Sequence, residues 1–84
     1  MMLTVGAVVK AKAGRDKDIF FVVVKIDEGF AYICDGKRRR IENPKKKNVI
    51  HLHATNTVAD SMDTNRKIRQ FLSAYTKENK LEVI

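Results

Sequence analysis

The sequence predicts a mainly β fold, a small antiparallel barrel followed by one C-terminal α-helix. Four to five short apolar or alternating runs, separated by tight-turn signals, fill about the first fifty residues. After Ala54 the pattern changes. Ile68, Phe71, Leu72 and Tyr75 then recur at i, i+3, i+4 and i+7, one face of a helix. With 84 residues the chain makes one small domain, read as a barrel over 1–54 and a connector with a packed helix over 55–84.

Val5 to Lys12 alternates with period two. Val5, Ala7, Val9 and Ala11 share one strand face, and Val8, Lys10 and Lys12 share the other. A charged loop follows, Lys12-Ala13-Gly14-Arg15-Asp16-Lys17-Asp18, with a glycine where the chain must turn. Ile19 to Ile26 is the strongest strand signal, because β-branched and aromatic residues dominate it. Its even positions, Phe20, Val22, Val24 and Ile26, are all apolar and are expected to face the core. Its odd positions begin apolar and end charged, so Phe21 and Val23 need a partner. Asp27-Glu28-Gly29 signals a hairpin turn. Phe30 to Cys34 is the next strand, Asp35-Gly36 a second turn, and Lys37 to Glu42 a short basic strand. Asn43-Pro44 breaks it, Lys45 to Lys47 reads as loop, and Val49 to His53 as the last strand. Ala54 to Asp60 reads as a polar connector. Ser61 to Asp63 offers capping residues, and Lys77 and Lys80 suit the far end of the helix dipole. A lone helix of this length is marginal in water. Its apolar stripe is therefore expected to dock on the Phe21 and Val23 face.

Composition narrows the function classes. The net charge is +7, which implies a polyanionic partner when it is clustered rather than spread. The longest apolar run, Ile19 to Val24, is far too short to cross a bilayer, and no apolar signal segment develops before Lys10 and Lys12. The single cysteine, Cys34, excludes an internal disulfide, and no CxxC spacing suggests zinc. A reducing cytoplasm is the expected home, with the free protein a monomer.

The run from Val8 to Val24, with Gly14, Arg15 and Lys17 in its loop, resembles a KOW motif, the strand–loop–strand unit of several ribosomal proteins and transcription elongation factors. Phe30-Ala-Tyr-Ile-Cys-Asp-Gly-Lys37, the basic stretch after it, and the segment holding His51 and Leu52 extend the likeness over roughly residues 5–53. Together they are similar to KOW-type proteins of the large ribosomal subunit and to short bacterial KOW-domain proteins described as RNA-binding. The resemblance implies an SH3-like barrel and ribosomal RNA as partner. Asp18 and Phe21 stand where many KOW loops carry glycine.

The candidate contacts follow from charge. Residues 37–47 hold seven Lys/Arg and one acid, Glu42. Phosphates are the natural counter-charge, and arginine adds bidentate geometry. Lys37, Arg38, Arg39, Arg40, Lys45, Lys46 and Lys47 are therefore the main RNA-binding candidates, with Arg38 and Arg40 on one strand face and Arg39 on the other. Lys12, Arg15 and Lys17 form an adjoining wall, which Asp16 and Asp18 moderate. The competing reading of the basic stretch is a solvated edge strand protected by lysines. Phe30 and Tyr32 share one parity and are read as core packing in preference to base stacking. His51 and His53 suggest no third metal ligand, and Cys34 reads as a small buried hydrophobe. The expected protein is a non-enzymatic RNA binder without cofactor or metal, associated with the ribosome through its RNA, with ribosomal proteins as candidate further partners. A transcription-linked KOW module and a protein–protein adaptor acting through the helix remain as alternatives.

Overall fold

Strong β formers dominate the first three of the five described strands, and pairing with them makes strands of the two that follow. The five are β1 (Ala7–Ala11), β2 (Phe20–Asp27), β3 (Phe30–Cys34), β4 (Lys45–Asn48) and β5 (Leu52–Val58). A 3-10 turn over Val49–His51 joins β4 to β5, and helix α1 (Asn65–Glu82) follows. This computed structural model describes residues 3–12, 14, 15 and 17–82, with side chains described up to residue 78. The strands form one antiparallel sheet in the order β4-β3-β2-β1-β5. Among the described residues the sheet is open, with β4 and β5 as its two edges. The fold is mainly β, with one C-terminal helix.

The sheet buries both faces. On one, Ala7, Val9 and Ala11 of β1 meet Phe21 and Val23 of β2, Ala31 and Ile33 of β3, and Leu52 of β5. β3 and β5, three places apart in the order, share this cluster, so the sheet must curve around it. On the other face Val8, Val22 and Cys34 pack against Ile68 and Leu72 of α1, with Phe20, Val24, Phe71 and Tyr75 around them. The helix stripe read from spacing is therefore the docking stripe. The Phe20 and Tyr75 rings meet edge-on with centroids 4.9 Å apart.

The docking face is the opposite of the one expected. Phe21 and Val23 line the inner cluster, and the helix covers Phe20, Val22 and Val24. The cause is an irregularity in β2, where Val23 pairs with Ile33 but Lys25 pairs with Tyr32. One extra residue sits between them, and it reverses the parity of everything after it. Ile26 consequently pairs with Ala31 and is 38% exposed at the sheet's end. A second irregularity lies where β1 pairs with β5: Ala7 meets Val58 but Val9 meets Ala54, so β5 carries two extra residues, and the Val8 carbonyl opposite them accepts a hydrogen bond from the Thr55 hydroxyl at 2.8 Å.

Other boundaries also shift. Val5 lies in a turn and is exposed, because the chain bends at Gly6 (φ +95°) before β1. Glu28 and Gly29 both take positive φ, which gives the β2–β3 hairpin a primed turn whose twist matches the strands. Lys37 to Glu42 is not a strand, and Lys45 to Lys47 is not a loop; the lysines form β4 and pair with Ala31, Tyr32 and Ile33. Val49 to His51 is a 3-10 turn capped by the Asn48 side chain, so the last strand starts at Leu52 and continues through the expected connector to Val58. Thr64 caps α1, in place of the expected Ser61 to Asp63, its hydroxyl accepting from the Lys67 amide at 3.1 Å. The Ser61 hydroxyl, the backbone and Lys67 together hold the Asp63 carboxyl below its ordinary range. Asp16 lies outside the described residues, as does the side chain of Lys80.

Candidate nucleic-acid interface

The loop between β1 and β2 is closed at its base by backbone bonds, Ala11 N to Ile19 O at 3.1 Å and Asp18 N to Ala11 O at 2.9 Å. Asp18 takes φ +68°, a conformation that glycine adopts freely and aspartate tolerates better than most residues. It stands at one of the positions where the resembled loop carries glycine. Lys12, Arg15 and Lys17 are exposed on this loop. The Lys47 ammonium reaches over from β4, 3.9 Å from where a Cβ on Gly14 would stand. The loop and the lysine strand are thus neighbours in space.

Residues 35–42 are shaped by two side chains. The Asp35 carboxylate accepts from the Lys37 and Arg39 amides, both at 2.9 Å, while the Asp35 and Gly36 amides donate to the Arg39 carbonyl. Asn65 in the first turn of α1 then clasps the far side. Its Oδ1 accepts from the Ile41 amide at 2.8 Å, and its Nδ2 donates to the Glu42 carboxylate at 2.6 Å. Lys37, Arg38 and Arg40 are exposed and Arg39 is half-buried, through this loop geometry rather than strand alternation. Lys37 faces Asp18 and Phe20 across an open groove of about 880 Å³, with Arg69 and Lys77 of α1 on its third wall. The β1–β2 loop therefore meets Lys47 at its Gly14 end and faces Lys37 at its Asp18 end. Arg69 and Lys77 join the basic surface without having been singled out as contacts; their place off the apolar stripe of the helix was the available signal.

On β3 and β4, strand register sets a third group. Lys25, Tyr32 and Lys46 lie in one cross-strand row, and Asp27, Phe30 and Asn48 in the next. The Lys25 ammonium lies over the Tyr32 ring, 5.2 Å from its centroid, and the Lys46 ammonium over Phe30 at 4.6 Å. Phe30 is 36% exposed and Tyr32 half-buried, whereas Ile33 and Cys34 beside them are fully buried. Neither aromatic packs in the core as expected. Lys45 and Lys47 share the parity of Ile33 and Ala31 and so point to the opposite side from Lys46.

Cys34 is a buried hydrophobe, as read. Burial, with smaller contributions from Asp35 and Glu42, pushes its thiol up from 9.0 to about 11. Below pH 9 folded and unfolded chains both keep the proton. Between pH 9 and about 11 only the unfolded chain loses it, so stability falls as pH rises through this window. Thermal melts should show this loss, and Cys34→Ala should remove about 2 kcal/mol of it; identical pH profiles for the two proteins would refute the assignment. His51 ends the 3-10 turn and His53 lies in β5, both exposed. Among the described residues no group of three or more His, Cys, Asp or Glu is placed to hold a metal ion, and no helix is long and apolar enough to cross a membrane. No protein-family model matches the chain, and no curated protein matches it closely enough to count as a relative.

Proposed function

We propose that this chain is a non-enzymatic RNA-binding protein of KOW type that docks on structured RNA, with ribosomal RNA as its partner. The observation that carries the reading is the placement of the β1–β2 loop, which has Lys47 beside Gly14 and Lys37 across the groove from Asp18. Lys12, Arg15 and Lys17 then join basic residues that are distant in sequence, Lys37 and Lys47, and the surface matches the phosphates of a polyanion. The strand order β4-β3-β2-β1-β5, with a 3-10 turn before the last strand, supports an SH3-like reading of this curved sheet. Duplex RNA is recognised mainly through its shape, phosphates and riboses, which suits lysine-bearing loops on a rigid sheet.

Salt dependence tests the proposal. Affinity for a structured ribosomal RNA fragment should fall linearly on a log–log plot of binding constant against salt. The double variant Lys37→Glu/Arg40→Glu, changed at two exposed positions, should bind at least tenfold more weakly, with a slope shallower by about two. Binding indifferent to salt, or to both reversals, would exclude phosphate capture by this surface. Co-sedimentation with ribosomal subunits at moderate salt tests the choice of RNA.

A further inference from the structure

Phe30 and Tyr32 alternate on β3, so both rings stand on one face of the sheet, roughly 7 Å apart along the strand. It is the face whose other part, Val22 and Cys34, lies under α1. Past the helix cover the aromatic pair meets solvent, with Phe30 36% exposed. Lys25 pairs with Tyr32 from β2 and Lys46 pairs with it from β4. Each lysine ammonium rests over one of the two rings. Asp27 and Asn48 flank Phe30, so the positive charge is greatest around Tyr32.

We infer that this face binds single-stranded RNA, with bases stacked on Tyr32 and Phe30 and the adjoining phosphates held by Lys25 and Lys46. The inference rests on the RNA-binding reading and adds to it a second contact chemistry and a second RNA form. Flat rings presented on a strand and flanked by cations are the combination that single strands need, because stacking accepts any base and lysine accepts any phosphate. A duplex cannot use this face, since its bases already stack on one another. The ammonium groups now over the rings do not block it. An exposed cation–π contact is weaker than a base–aromatic stack, so an arriving base displaces the lysine, whose long stem turns the charge toward the phosphate. The duplex-binding loops and this face would then hold a helical segment and an adjoining unpaired one.

The test compares a short oligouridine with a blunt RNA duplex on the full chain. Tyr32→Ala and Phe30→Ala should each weaken oligouridine binding by about five- to 150-fold while leaving duplex affinity within about twofold. Tyr32→Phe should retain oligouridine binding, because the ring is kept. Oligouridine should also shift the Phe30 and Tyr32 ring protons of the unmodified protein upfield, a readout independent of any loss of fold. Binding of both RNAs with no response to either alanine variant, and no ring-proton shift, overturns the stacking face alone. Failure of the unmodified protein to bind either RNA overturns the RNA-binding reading and this inference with it.

Discussion

Phe21→Ala is expected to lower the thermal midpoint by about 10–40 °C and to leave much of the population unfolded near room temperature. Phe21 is 1% exposed and is among the largest fully buried side chains. It lies opposite Val9 on β1 and contributes to the cluster shared by β1, β2, β3 and β5. Truncating such a ring costs about 3–5 kcal/mol, through lost burial and the cavity left behind. A chain of 84 residues has roughly 4–13 kcal/mol in total, and small domains sit toward the low end. The loss is therefore comparable with the whole stability. Phe20→Ala provides the contrast, because Phe20 is half-buried and meets the edge of Tyr75 on the helix side. It should loosen α1 with a smaller effect on the midpoint. Circular dichroism melts of the two variants decide the matter, and the reverse ranking would place the principal core under the helix.

Gly36→Ala should have the second-largest effect, by separating the basic loop from the helix. Gly36 is buried at φ +77°, and a Cβ there would overlap the Asn65 carbonyl oxygen and lie 3.1 Å from the Arg69 amide nitrogen. Both obstacles are helix backbone, which no rotamer change can move aside. The left-handed conformation alone costs a non-glycine residue about 1–2 kcal/mol. Parting the segments also forfeits the bonds from Asn65 to Ile41 and Glu42, at about 0.5–1.5 kcal/mol each. The combined loss is about 2–5 kcal/mol. Gly29→Ala separates the two causes, because Gly29 takes φ +85° and a Cβ added there would meet nothing within 4 Å. It should cost only the strain. Hydrogen exchange at the Ile41 amide should quicken sharply in Gly36→Ala and hardly change in Gly29→Ala; equal protection in both would mean that the close approach of Gly36 to α1 is unimportant.

The features legible in the sequence were those set by neighbouring residues. The β2–β3 hairpin depends on Glu28-Gly29, the third strand on its own apolar residues, and the helix stripe on spacing within α1. What was misread depends on distant partners. The extra residue in β2 is defined only by its pairing with β3, and without it the period-two pattern assigns the wrong face to the core. Lysine is a poor strand former, so Lys45 to Lys47 looked like loop; Ala31, Tyr32 and Ile33 supply the ladder that makes it a strand. The basic segment after Gly36 looked like a strand because its charge pattern is silent about Asn65, the side chain that holds it. Phe30 and Tyr32 were placed inside for a similar reason. A strand's aromatic face reads as core until one knows where the helix cover ends.

The clasp made by Asn65 also has a kinetic meaning. It joins residues on either side of the whole β4–β5 segment, so each of its hydrogen bonds closes a loop of more than twenty residues, an entropic cost that slows contacts between distant positions. The loop carrying Lys37 to Arg40 takes its local shape from Asp35, and only its far side depends on the tie to the first turn of α1. Seating of the helix thereby fixes where this preformed basic loop stands against the rest of the surface.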